Sequence, residues 1–306
     1  MMLKRFHFKN SFIKGINMGK NIKIALLGVC NSRNLFNYAS KNNDIIIDPF
    51  IFTPCFLDIT KDGLNIPKKF FEILPSKPFR VETASFTRKN MWLDLNKMAL
   101  YTVQSNNFDY LIIDLSSLIM DTYEIEYKNK KVFSCNAYSP LCYKYLQKVI
   151  PNLHFQQIKV SKEFILSSLK ELAEYLKSNF DLSKIIIFDF TCPDYYLGPD
   201  KKIYKYPESI FCGKKEVGLL REYTEFLSKL LPTVRVFEDS EIKLATFSEG
   251  EKPTPVYRMP YIFHVDKNTQ KLQGYLFRKF IFNEDCNNEI EELKLKISEE
   301  IKSKLL

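Results

Sequence analysis

The run Asn21–Phe36, NIKIALLGVCNSRNLF, constrains this chain more than any other stretch. Ile22, Ile24 and Leu26, with Ala25 and Leu27, form a short unbroken apolar segment. That is the pattern of a strand buried on both faces of a parallel sheet. It stops at Gly28, passes through Val29, Cys30, Asn31, Ser32 and Arg33, and turns helix-like from Asn34 through Leu35, Phe36 and Tyr38. A strand leading through a tight turn into a helix puts the turn at the carboxyl edge of a sheet, where open α/β proteins bind ligands. Gly28 permits the sharp turn. Cys30 would lie where helix-terminal N–H groups lower a thiol's pKa. Arg33 is a cation able to hold a thiolate or an anionic substrate. The competing reading is a plain strand–helix junction with an inert cysteine, since free Cys is among the most buried residue types.

The same alternation continues. Ile45–Phe52 predicts a second strand, with Pro49 pushing it towards an edge or a bend. Thr53–Pro78 predicts a long connection over the sheet edge. Thr87–Val103 has helical spacing through Met91, Leu95 and Met98. Asn107–Leu115 predicts a buried strand with Asp114 at its carboxyl end. Ile119–Cys135 predicts a small hairpin turning at Lys130–Lys131. Ser139–Val149 and Ser161–Ser178 predict helices, the second with a stripe of Phe164, Ile165, Leu169, Leu172 and Leu176. Lys184–Phe190 and Val234–Glu238 predict strands on either side of a helix over Glu216–Leu231. Lys243–His264 predicts a loop that delivers His264 ahead of a helix from Asp266. Cys286–Leu306 predicts a charged helix. Strands alternating with helices imply a three-layer α/β/α sandwich around a mostly parallel sheet of four to five strands. The expected organisation is a basic N-terminal arm over 1–20, an α/β domain over 21–283 and a C-terminal helix over 284–306.

Composition narrows the function. The 306 residues carry a net charge of +9, spread over many lysines rather than gathered in a block. Asn, Lys, Ile, Phe and Tyr abound while Gly numbers only nine, a coding bias that makes the basic excess weak evidence for nucleic acid. No interleaved basic and aromatic face is evident, which argues against a nucleic-acid module. Seven cysteines at irregular spacing argue for reduced thiols in a cytoplasmic setting. With three histidines in the chain and no Cys/His pair at ligand spacing, no metal site is expected. No apolar segment approaches the ~20 residues of a membrane span. The first twenty residues lack the hydrophobic core and cleavage site of a secretory signal. Phe6, Phe8, Phe12 and Ile13 leave a peripheral membrane contact open.

Two residues carry the candidate chemistry: Cys30 early and His264 late. A thiol nucleophile needs a base for its proton and a group to orient that base. Asp266 and Asp114 are the two candidates for the orienting role. The competing reading of His264 is a locally bonded loop histidine. The phosphate loop G-x-x-x-x-G-K-[ST], the dinucleotide fingerprint G-x-G-x-x-G and the hydrolase elbow G-x-S-x-G are all missing. Cys30 and Arg33 are too close together for a phosphatase loop.

The order of short motifs resembles the SGNH/GDSL hydrolase superfamily, with Gly28-Val29-Cys30 in the place of Gly-Asp-Ser. More specifically, it is similar to a bacterial SGNH-like family whose first motif is Gly-Ser-Cys-x-Ser-Arg-Asp. Gly28, Cys30, Ser32 and Arg33 match that motif; Val29 and Asn34 depart from it. Arg88, Asp94-Leu95-Asn96-Lys97, Asp109–Asp114 and Pro260–His264 match its later motifs in order. A related group of capsule-polysaccharide proteins shares the Gly-x-Cys start and is thought to acetylate glycans from coenzyme A. The resemblance implies Cys30 as nucleophile and His264 as general base, with the Cys30 N–H and Ser32 as oxyanion donors. It implies Arg33, Arg88, Asp94 and Lys97 as substrate-binding residues, with Asp114 and Asp94 holding the arginines or His264. It further implies an acyltransferase or esterase acting on a bacterial surface polysaccharide or its precursor, with coenzyme A or acetyl-coenzyme A as donor. Tyr261 stands where the superfamily has Asp, and Leu115, Ser116 and Ser117 stand where it has an Asn-bearing block. A non-catalytic accessory protein of polysaccharide assembly is the alternative.

Overall fold

The structure, a computed structural model, describes residues 21–74, 84–135, 139–206, 214–247 and 264–305. The proposed N-terminal arm over 1–20 and Pro260–Phe263 lie outside the described residues. In chain order the elements begin β1 (Ile22–Gly28), α1 (Cys30–Asn34), α2 (Phe36–Ala39), β2 (Ile45–Phe52), α3 (Lys69–Glu72), α4 (Ala84–Leu95), α5 (Ala99–Gln104) and β3 (Tyr110–Asp114). There follow β4 (Thr122–Tyr127), β5 (Lys130–Cys135), α6 (Ser139–Val149), β6 (His154–Ile158), α7 (Lys162–Asn179), β7 (Ile185–Asp189), β8 (Tyr195–Leu197) and β9 (Ile203–Lys205). The chain then forms α8 (Lys214–Leu230), β10 (Arg235–Glu238), β11 (Leu244–Ala245), α9 (Lys267–Phe282) and α10 (Asn287–Lys304).

Five strands in the order β10-β7-β3-β1-β2 form one all-parallel sheet. Taken by appearance in the chain this order is 5-4-3-1-2, the doubly wound arrangement whose direction reverses between β1 and β3. β7 is buried at every residue, and β1 at all but Lys23, as all-parallel strands covered on both faces must be. β2 is the edge strand, more exposed along its length, and it accommodates Pro49 there. Helices cover both faces: α2, α9 and α10 pack in succession, and α7 packs on α8. The three-layer α/β/α sandwich expected from the sequence is therefore the architecture observed.

α7 shows how local signals set an element. Ser161 caps it by accepting from the Phe164 N–H at 3.2 Å, and Ile165, Leu169, Leu172, Ala173 and Leu176 form its buried stripe. Phe164 falls off that stripe and is 42% exposed. α9 begins the same way, with Asp266 accepting from the N–H groups of Asn268 and Thr269.

Several expectations need correction. The predicted helix over Thr87–Val103 is two helices, α4 and α5, broken where Lys97 takes a left-handed conformation with φ 52°. The predicted hairpin turns at Lys128–Asn129, both at positive φ, and not at Lys130–Lys131. That hairpin is extended by β6 into an antiparallel sheet β5-β4-β6, and β11-β8-β9 form another small sheet. Neither sheet follows from the periodicity of its short strands.

The Lys97 break serves a buried ionic cluster. Its Nζ lies 2.7 Å from Asp58 Oδ1 and 3.6 Å from Asp94 Oδ1, and donates to the Phe133 carbonyl at 2.6 Å. Asp94 also accepts from the Cys55 N–H at 2.9 Å and from the Ser134 hydroxyl at 2.5 Å. Burial works against the Lys97 charge, but Asp58 and Asp94 more than offset it and raise the pKa above that of ordinary lysine. The cluster joins α4 to the β4–β5 hairpin. Lys97→Met would leave two buried carboxylates without their counter-charge. It is expected to destabilise the fold by about 3–5 kcal/mol, read as the shift in urea unfolding midpoint at unchanged slope.

Candidate functional site at the carboxyl edge of the sheet

The carboxyl edge gathers side chains from four of the five parallel strands. At the reversal point, β1 ends in Gly28 beside Asp114 of β3. A Cβ built on Gly28 would fall 2.5 Å from Ser32 Oγ and 2.9 Å from Asp114 Cβ. Only glycine fits this approach. Asp114 Oδ2 then accepts from the Val29 N–H at 3.3 Å, and Oδ1 from the Ser116 N–H at 2.9 Å and the Ser116 hydroxyl at 2.5 Å. Burial pushes the Asp114 carboxyl above its ordinary pKa, against hydrogen bonds from Ser116 and Val29. This lattice of bonds fixes the turn that delivers Cys30.

Cys30 is the first residue of α1 and is half-buried, whereas Cys55, Cys135, Cys142 and Cys286 are buried. Ser32 is wholly buried and its hydroxyl donates to the Val29 carbonyl at 3.0 Å, so it is engaged inside the turn. Arg33 is exposed and donates to Asn37 Oδ1 at 3.0 Å. His264 leads into α9; its carbonyl accepts from the Thr246 N–H at 2.9 Å, and the next residue, Val265, bridges Ala245 of β11. β11 follows the carboxyl end of β10, so topology sets His264 on the same side of the sheet as Cys30. Asp266 caps α9 with both carboxylate oxygens, and burial raises its pKa against those bonds.

The remaining expected residues lie on α4 and in the turn that ends it. Arg88 lies on α4, two residues before Asn90, whose Oδ1 accepts from the Phe52 N–H at the end of β2. The Arg88 Nε is buried without a hydrogen-bond partner among the described residues. Asp94 and Lys97 belong to the ionic cluster already described, where their side chains are 3% and 1% exposed. That burial commits them to internal contacts and leaves no surface for a substrate to touch.

The structure adds residues that sequence reasoning passed over. Asn31 is fully buried next to Cys30, and its Oδ1 accepts from Gln273 Nε2 at 3.5 Å. The same Gln273 nitrogen donates to Asp239 Oδ1 at 2.8 Å. Asp239, just past β10, pairs with the fully buried Lys243, which also donates to the Thr191 carbonyl and lies 4.2 Å from the Phe190 ring centroid. Burial lowers the Lys243 pKa, against the pull of Asp239. Asp189 ends β7, with Oδ2 3.7 Å from Arg221 Nε and Oδ1 unpartnered among the described residues. Past β7, a hollow of about 390 Å³ opens against the early turns of α8. Acids ending strands, as in Lys184–Phe190, were a legible signal for Asp189. No pattern marked Gln273 or Asn31.

Fold and edge together define an open, doubly wound α/β protein whose strand order reverses between β1 and β3. Comparison with protein-family models, with curated proteins and with solved structures found no match to the chain. No helix among the described residues is long and apolar enough to cross a membrane. Among those residues, no group of three or more His, Cys, Asp or Glu side chains is placed to hold a metal.

Asp189 offers a test of the edge's electrostatics. Burial pushes its carboxyl up to about 6, partly opposed by Arg221 and reinforced by Glu238 and Asp239. An unfolded Asp titrates near ~3.9. Between those values the folded state holds a proton that the unfolded chain has lost. The group's stabilising contribution is therefore full below the unfolded value and disappears as pH rises through about 6. Asp189→Asn is expected to be more stable than the parent by roughly 1–2 kcal/mol at about pH 7.5 and nearly equal to it near pH 4. Urea unfolding at the two pH values reads the difference.

Proposed function

We propose that the chain is an SGNH-like acyltransferase or esterase that works through Cys30, with His264 as base, on a bacterial surface polysaccharide or its precursor. The observation that carries this reading is the position of Cys30: a half-buried thiol at the β1/β3 reversal, where doubly wound sheets bind their ligands. In the proposed reaction His264 takes the thiol proton and the sulfur attacks the acyl carbonyl carbon of the donor. The tetrahedral oxyanion is met by the Cys30 N–H; a donor of this kind is commonly worth ~3 kcal/mol. The leaving group departs with the proton that His264 took. An acceptor hydroxyl, or water in the esterase case, then attacks the Cys30 thioester and gives its proton to His264; the carbon–sulfur bond breaks, and the released Cys30 thiolate takes that proton back. Acetyl-coenzyme A would serve as donor in the transferase case, its thiol being the group that leaves.

A binding role without turnover is the second reading. It is favoured by Asp114 and Asp266, whose carboxylates are engaged by backbone N–H groups and, at Asp114, by a serine hydroxyl as well. Those engagements weaken both as partners for His264. Incubation with acetyl-coenzyme A and peptide mass spectrometry separates the two. The catalytic reading expects an acetyl adduct on Cys30 at short times in the parent, and far less of it in His264→Ala, which lacks the base that takes the thiol proton. It also expects transfer or hydrolysis to fall by about 10³-fold or more in Cys30→Ala. No adduct, or turnover retained in Cys30→Ala, overturns it.

A further inference from the structure

We propose that the hollow between the carboxyl end of β7 and the early turns of α8 binds a neutral, hydroxyl-rich ligand, a single sugar unit of a glycan. Its role as acceptor subsite rests on the acyl-transfer reading above; its capacity to bind sugar does not.

Three observations point there. The first is size and place. At about 390 Å³ the hollow falls in the range of small-molecule sites, ~300–1,000 Å³. It opens at the end of β7, which lies two strands from β1 in the same sheet, with β3 between them. Neighbouring strands are about 4.8 Å apart, so the hollow sits roughly 10 Å along the carboxyl edge from the strand that delivers Cys30.

The second is a glycine with no packing reason to be there. Gly218 lies inside the seventeen-residue α8, where glycine costs about 1 kcal/mol relative to alanine. A Cβ at this position would meet nothing within 4 Å among the described residues. Neither a close helix contact nor a left-handed backbone requires the glycine. What its missing side chain does is leave the wall of the hollow bare.

The third is the chemistry of the wall. Asp194 and Glu241 bring two carboxylates, and Arg221 brings a guanidinium that faces Asp189. The two acids disfavour an anionic ligand, and Arg221 sets donors beside these acceptors. Carboxylates that accept and a guanidinium that donates suit hydroxyl groups, which do both. Val217, beside Gly218, supplies a low apolar surface for the C–H face of a ring.

The test is saturation-transfer NMR and calorimetry on the full chain. The probes are the methyl β-glycosides of glucose, galactose and N-acetylglucosamine, with glucuronic acid and glucose 1-phosphate as charged counterparts. Saturable binding of at least one neutral glycoside is expected, weakened at least tenfold by Gly218→Leu, which fills the hollow. Asp194→Asn and Glu241→Gln, both at solvent-reached positions, are expected to weaken it by a similar factor and decide the matter should Gly218→Leu not fold. No binding of any neutral glycoside, tighter binding of the charged sugars, or binding unchanged in these variants overturns the proposal. Sugar binding that persists in Cys30→Ala while no Cys30 adduct forms in the parent would sink the acyl-transfer reading and leave the sugar site standing. A Cys30 adduct without sugar binding would do the reverse.

Discussion

The approach of Gly28 to Asp114 is the contact on which the carboxyl edge of the sheet depends. β1 and β3 come together at their carboxyl ends with no side chain between them, because any Cβ on Gly28 would overlap Asp114 and Ser32. The carboxylate that fills the space is fully buried and so would be costly if left alone. It is held instead by the Val29 N–H and by both donors of Ser116. The result is a turn fixed from below and open above, with Cys30 as its first helical residue. Doubly wound sheets part at this reversal because consecutive crossovers leave to opposite faces. The Gly28–Asp114 contact determines what that parting displays.

The same device recurs wherever the chain leaves the main sheet. Past β2, Lys97 sits among Asp58, Asp94 and the Phe133 carbonyl and secures the hairpin that follows β3. Past β10, Lys243 sits against Asp239 and the Thr191 carbonyl and ties the segment after β7 to the segment after β10. Each is a buried charge that keeps its partners, and removing one partner from such a group costs far more than the pair contributes net. Charges of this kind contribute little to total stability but specify which loop packs on which strand end. The strands themselves are apolar and would tolerate other neighbours.

This division of labour explains what was legible in the sequence. The parallel strands β1, β3 and β7 could be read because burial on both faces imposes a nearly unbroken apolar run. The long helices α7, α8, α9 and α10 could be read because one face packs and the other meets water, and Ser161 and Asp266 announce their starts. β6, β8 and β9 could not. Their strands are three to five residues long, and β6 buries none of its residues fully, so no period emerges. Lys97 was visible as a charged residue in a motif but not as a helix break, because its left-handed backbone is imposed by the cluster it serves. The acids at strand ends were legible as positions. Their partners, Gln273 and Asn31, were not, since residues 242 apart carry no local signature of contact.

The network through Gln273 bears on how the edge could work as one site. Asn31, adjacent to Cys30, is linked by Gln273 to Asp239, and Asp239 through Lys243 to Thr191, which lines the hollow. Every member but Thr191 is buried, so the hydrogen bonds the network makes are shielded from water. The span between the thiol and the hollow is therefore set by hydrogen bonds among buried groups and does not depend on loops that meet solvent. A transfer between two bound partners needs such a fixed span, because an ångström of misplacement between reacting groups can cost on the order of 10²-fold in rate. Two amide atoms in this chain, Asn31 Nδ2 and Gln273 Oε1, have no hydrogen-bond partner among the described residues. Unmet donors and acceptors inside a network are where a water or a ligand atom is best received.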